Sequence, residues 1–179
     1  MYHINALYIL SQHIDAALHL LRRRMHYYKE IFQRDAAIVS IPFGQMALGR
    51  WKPLTLEEMT KYIWGDEVMM YLIGDDKQCL QSWAGKEYIY FVLGIDERKH
   101  WVTVEVSLYA WQMSIYDCDH SVTPDAVLNE IMGHYTELIP HMMRQSGLFD
   151  WCSDRLGAQP EPMRYAWAST DEVPQTKSR

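Results

Sequence analysis

The stretch HWVTVEVSLYAWQMSIYD, residues 100–117, decides the reading of this chain. Val102, Val104, Val106 and Leu108 alternate with Trp101, Thr103, Glu105 and Ser107, the period of a strand with one apolar face. Trp111, Met113 and Ile115 continue such a face on a return strand. A turn centred on Leu108 and Tyr109 sets Val106 beside Trp111, Val104 beside Met113 and Val102 beside Ile115. One step further sets His100 beside Asp117, both on the face that carries the valines. Leu-Tyr is poor chemistry for a two-residue hairpin, which favours Asn, Asp or Gly at positive φ. A wider loop about the same centre keeps the pairing. Glu105 is expected on the solvent face.

A His and an Asp at the open end of a hairpin can hydrogen-bond. The carboxylate then fixes the imidazole tautomer and stabilises the imidazolium, and the ring can serve as a general base. The same two residues also form a purely structural pair at a sheet edge, and both readings stand on the spacing alone.

Working outward, Tyr88 to Ile95 (YIYFVLGI) reads as a buried strand, and Asp96 to Lys99 as a polar turn into His100. The sheet therefore holds at least the strands 88–95, 100–108 and 111–118. Residues 6–33 carry apolar side chains at three- and four-residue steps, the pattern of a helix. Residues 36–53 read as a short apolar strand or turn, then a loop with Gly44, Gly49 and Pro53. Thr55 and Glu58 fit a capping box, so a helix starts near 56. Val68 to Ile73 is strand or helix by periodicity alone, and Gly74-Asp75-Asp76 closes it as a turn. Ser121, Thr123 and Pro124 mark the start of a helix that Pro140 is placed to break. Tyr165 to Trp167 reads as a last strand.

The chain has 179 residues, 49% of them hydrophobic and 22% charged, which fits one globular domain over residues 1–179. A net charge of −6 leaves no electrostatic footprint for nucleic acid. The one basic run, Arg22-Arg23-Arg24, falls inside the helical pattern and reads as a solvated face. No apolar run approaches a membrane span and no signal peptide opens the chain. Cys79, Cys118 and Cys152 follow no disulfide or metal spacing and read as structural thiols in a reducing, intracellular compartment. His100, Asp117, Cys118, Asp119 and His120 are residue types that zinc accepts, but their spacing matches no known site, and alternate residues of one strand diverge. No metal and no cofactor are expected.

His100-Trp101 before alternating valines, then Ile115-Tyr116-Asp117, then a late Val173-Pro174-Gln175, resembles the ubiquitin-like-protein-specific (SUMO) protease family. These are papain-like cysteine peptidases. In that pattern His-Trp opens a strand, an Asp follows seventeen residues on, and a Gln comes later in a Pro-Gln context. Asp-Cys-Gly follows shortly after. Near the start, Tyr8-Ile9-Leu10-Ser11-Gln12-His13-Ile14-Asp15 and Leu20-Leu21-Arg22 resemble the family's opening helix, most closely in its divergent plant members carried by transposable elements. Tyr8 stands where relatives have a Trp. The resemblance runs from residue 8 to residue 175.

The resemblance implies an α+β fold of the papain-like, SUMO-protease type: a central, mostly antiparallel sheet flanked by helices, incomplete at its C-terminal end. It implies His100 as general base, Asp117 as its orienter and Gln175 as oxyanion donor. Tyr8 and Trp101 would line a narrow channel for the Gly-Gly tail of the substrate. The implied partner is a SUMO-like or other ubiquitin-like modifier and its conjugates, bound by a monomer, with no nucleic acid or membrane involved. A nuclear location follows by family analogy only. One departure matters. The family's nucleophilic Cys lies a few positions past the Gln, which here falls beyond Arg179. Cys118 follows Asp117 on the same strand and so points to the opposite face. The expectation is therefore a thiol isopeptidase domain without turnover. The alternatives are a pseudo-protease that binds the modifier, or a truncated product with no function of its own.

Overall fold

The structure is a computed structural model that describes residues 3–32, 34–95, 100–169, 171 and 173; the side chains of residues 3–10 and 56 lie outside that description. Helix α1 covers His3–Tyr27 and a single 3-10 turn follows at Lys29–Ile31. Strand β1 is Ala36–Ile38. Helix α2, Ile41–Trp51, occupies the segment expected to be a loop. Gly44 and Gly49, which read as part of a loop, sit inside it. Phe43, Ala47 and Trp51 instead recur every four residues and are fully buried, and Pro42 falls in the first turn, where its missing N–H costs nothing. The cap comes from another element: Asp15 Oδ1 of α1 accepts from the Ile41 N–H at 3.0 Å.

Helix α3, Leu56–Lys61, starts on the expected capping box, with Thr55 accepting from the Glu58 N–H and Glu58 accepting from the Thr55 N–H. The run Val68–Ile73 resolves as helix α4, Asp66–Ile73, closed by Gly74 at φ +99°. A side chain at Gly74 would meet the Ser82 backbone nitrogen at 2.7 Å, so the turn requires glycine on two counts. Strands β2 (Tyr88–Ile95), β3 (His100–Ser107) and β4 (Gln112–Tyr116) follow. Helix α5 is Asp125–Ser146 and strand β5 is Arg164–Trp167. Strand β2 is buried on one face only, since its residues alternate between half-buried and buried.

The five described strands form one sheet in the order β1-β2-β3-β4-β5. The inner pairs β2–β3 and β3–β4 are antiparallel, and both outer pairs are parallel. Helices α2 and α5 pack with α4 on the face formed by Ile89, Phe91 and Leu93 of β2, Val102, Val104 and Val106 of β3, and Met113 and Ile115 of β4. Helix α5 runs through Pro140 instead of breaking there. A proline inside a helix costs about 3 kcal/mol. Burying Leu138, Ile139, Met142 and Met143 on either side of it is worth about 1.5–3 kcal/mol each, which outweighs that cost. The cap expected from Ser121 or Thr123 is not made. Pro124 occupies the N-cap position, Ser121 bonds Asp119, and the Thr123 hydroxyl is buried without a hydrogen-bond partner among the described residues.

Two charged residues depart from expectation. Arg22 is only 3% exposed, whereas Arg23 and Arg24 face solvent. Burial holds its guanidinium below the usual arginine range, partly offset by Asp15. Glu105 is also buried, covered by the Tyr90 hydroxyl and by Arg34 Nη1, which donates to Glu105 Oε2 at 2.8 Å. Among the described residues no helix is long and apolar enough to cross a membrane.

Candidate functional site

The site lies at the end of the sheet where β3 begins and β4 ends. His100 is the first residue of β3, and Asp117 follows directly on β4. The hairpin register is offset by two residues from the one expected. Val104 lies opposite Ile115 and Val106 opposite Met113, and a four-residue loop, Leu108–Trp111, replaces the two-residue turn at Leu108-Tyr109. Trp111 leaves the strand and adopts φ +54°. Its ring is buried, its Nε1–H donates to the Glu161 carbonyl at 3.1 Å, and the Arg155 guanidinium lies over it. That anchoring takes Trp111 out of the ladder and moves the turn centre. A slip of an even number of residues leaves every side chain on its face. His100 and Asp117 therefore still share the core face, and they meet diagonally.

His100 Nε2 lies 2.6 Å from Asp117 Oδ1, with the side chains 9% and 0% exposed. An ionised carboxylate can only accept, so Nε2 carries the hydrogen and Nδ1 is left to take a proton. The same Oδ1 accepts from the Asp119 N–H at 2.8 Å. Asp119 in turn accepts from the Ser121 N–H at 3.1 Å. The segment after β4 thus folds around Asp117 and fixes the carboxylate from behind. On the β5 side the His120 ring packs on Trp167 at 5.0 Å between centroids. The anchoring by Asp119 and the support from Trp167 were missed in the sequence. The Asp-x-Asp spacing at 117 and 119 was the available signal, since Asp side chains bond the backbone two residues on.

The remaining expected residues do not all join this pair. Trp101 alternates with His100, so its side chain leaves β3 on the opposite face, where it is half-buried. Tyr8 lies within α1, and its side chain is outside the described residues. Gln175 is outside them altogether. Cys118 is exposed, Cys79 is half-buried and Cys152 is buried. Burial, followed by the Asp154 charge, pushes the Cys152 thiol above its ordinary value, and the thiol points at the Phe149 carbonyl. Among the described residues no cysteine hydrogen-bonds His100. Among them, too, no group of three His, Cys, Asp or Glu side chains converges as a metal ion would require.

Chemically, the described site is a base with its orienting carboxylate. The imidazole is held in one tautomer and poised to accept a proton at Nδ1. The family model described as the Ulp1 protease family, C-terminal catalytic domain, matches residues 8–179. No significant match was found among curated proteins or among solved structures.

Proposed function

The chain belongs to the Ulp1 protease family, as its C-terminal catalytic domain, and on that premise we propose that it recognises the Gly-Gly tail of a SUMO-like or other ubiquitin-like modifier. By family it is a SUMO-type cysteine protease domain with an α+β, papain-like fold. In this reading His100 is the general base and Asp117 its orienter. Gln175 donates to the oxyanion, and Tyr8 and Trp101 flank the tail. The base takes the proton of a thiol, and the thiolate attacks the carbonyl carbon of the last glycine. Gln175 stabilises the oxyanion, the leaving amine takes the proton back, and water then clears the thioester.

The observation that carries the reading is the buried contact between His100 Nε2 and Asp117 Oδ1 at 2.6 Å. No thiol described in the chain is engaged by the base. We therefore propose that the described residues bind the tail without turning it over, because triad members act as a unit and covalent catalysis requires a thiol on the base.

Calorimetry tests this with a SUMO-like protein ending in its free Gly-Gly, the same protein lacking both glycines, and ubiquitin. The expected result is binding that disappears with the glycines. No binding to any of the three, or binding indifferent to the tail, overturns the recognition. Cleavage of a modifier precursor by this polypeptide, abolished by thiol alkylation, overturns the absence of turnover.

A further inference from the structure

Strand β2 carries a single glycine, Gly94. Glycine weakens a strand interior, and its presence there marks a bulge, an unusual backbone angle or the close approach of another group. The backbone angle is not the reason, since Gly94 is not among the glycines at positive φ. Nor is a bulge, because the β2–β3 ladder runs unbroken from Tyr88–Ser107 to Ile95–His100. The close approach is the reason. Gly94 is the direct cross-strand partner of Trp101, and the two share a face. A Cβ at residue 94 would lie 2.9 Å from Cζ3, 3.0 Å from Cη2 and 3.3 Å from Cε3 of Trp101. The benzo half of the indole therefore rests on the bare Cα. Real Cβ atoms do not come this close to ring carbons, so a side chain at 94 would drive the indole outward.

The position of this contact gives it a consequence. Gly94–Trp101 is the rung next to Ile95–His100, the last pair of the ladder and the one that bears the proposed base. We infer that Gly94 is a positioning residue: its bare Cα lets the Trp101 indole close against β2 and so sets the position of the platform that the tail-binding reading above makes of this ring. This inference rests on the tail-binding reading above. A glycine tail presents main chain without side chains, so it gains contact only from a surface that lies flat and close. A displacement of even half an ångström forfeits much of the dispersion contact. A methyl group at 94 shifts the ring by about that much, and the ring is the element that yields because the strand is held by its ladder.

Calorimetry of Gly94→Ala, Trp101→Ala and the double variant with the Gly-Gly-terminated modifier tests the inference. Gly94→Ala should weaken binding about tenfold while the melting temperature stays near that of the native chain. In the Trp101→Ala background the same change at 94 should have no further effect. Independently of binding, the Gly94 α-proton resonances should be shifted upfield by the indole ring current and should lose that shift in Trp101→Ala. Native binding that ignores Gly94→Ala, an equal loss in both backgrounds, or unshifted α-protons each overturn the inference while leaving the functional reading intact. A native chain that does not bind the modifier overturns that reading and the platform together, yet leaves the ring-current shift in place.

Discussion

His100 and Asp117 meet at 2.6 Å across the β3–β4 hairpin without being opposite one another. The ladder pairs Thr103 with Tyr116, so one more step brings Asp117 level with Val102, and the carboxylate reaches His100 along the diagonal. Asp117 holds two donors at once, the imidazole Nε2–H and the Asp119 N–H. Asp117→Ala strands both, and an unmet buried polar group costs about 1–3 kcal/mol. The expected loss is about 2–4 kcal/mol in urea unfolding. Asp117→Asn retains an acceptor and should cost about 1 kcal/mol. Nitrogen NMR of the imidazole should show the Nε2–H tautomer in the native chain and a tautomer mixture in Asp117→Ala. A single unchanged tautomer would remove Asp117 from the role of orienter.

Gly44 carries a second requirement for a missing side chain. Its Cβ would lie 3.0 Å from Leu93 Cδ2 and 3.1 Å from the Tyr135 hydroxyl, which donates to the Gly44 carbonyl at 2.8 Å. Alanine is the better helix former by about 1 kcal/mol. Overpacking a close contact costs about 1–3 kcal/mol. Gly44→Ala should therefore be neutral to destabilising by about 2 kcal/mol, with Tyr135→Phe losing about 1 kcal/mol for its hydrogen bond. A clear rise in melting temperature for Gly44→Ala would show that α2 is not pressed against α5 and β2.

Much of this architecture was legible in the sequence because it rests on local rules. The alternation in β3 and the capping box at Thr55 and Glu58 both appear where the residues predict them. The His100–Asp117 contact was legible for a sturdier reason than the register, which was wrong by two: parity alone puts both residues on one face. What was not legible depends on partners distant in sequence. The turn moved because Glu161 and Arg155 hold Trp111. Helix α2 forms because Asp15 caps it and Tyr135 and Leu93 close over Gly44. Arg22 and Glu105 are buried through contacts that span the fold, and a charged side chain carries no local mark of that.

Helix α3 is short, and its start is local, so its cap can be tested without disturbing the core. Thr55 Oγ1 accepts from the Glu58 N–H at 3.3 Å, and Glu58 Oε2 accepts from the Thr55 N–H at 2.8 Å. Thr55→Ala should cost about 1 kcal/mol. Thr55→Ser should restore most of it, because the hydroxyl is what caps. Equal stability of the Ala and Ser variants, compared by chemical denaturation, would rule the cap out as a contributor.

His141 supplies the pH dependence. Its ring packs on Trp51 at 4.9 Å between centroids, and its Nδ1 is buried without a hydrogen-bond partner among the described residues. Burial, with a smaller contribution from the Arg144 charge, brings its pKa down to about 4 from an ordinary 6.5. Between those two values the unfolded chain binds a proton that the folded chain refuses. Stability therefore rises with pH across that window, is fully present above about 6.5 and is lost as pH falls toward 4. The ring is only half-buried, so solvent screening reduces the effect to on the order of 1 kcal/mol. His141→Gln cannot titrate, so urea midpoints at pH 7.0, 5.5 and 4.5 should fall less steeply in the variant than in the native chain. Parallel declines in the two proteins would assign the acid sensitivity to carboxylates elsewhere and leave His141 an ordinary surface histidine.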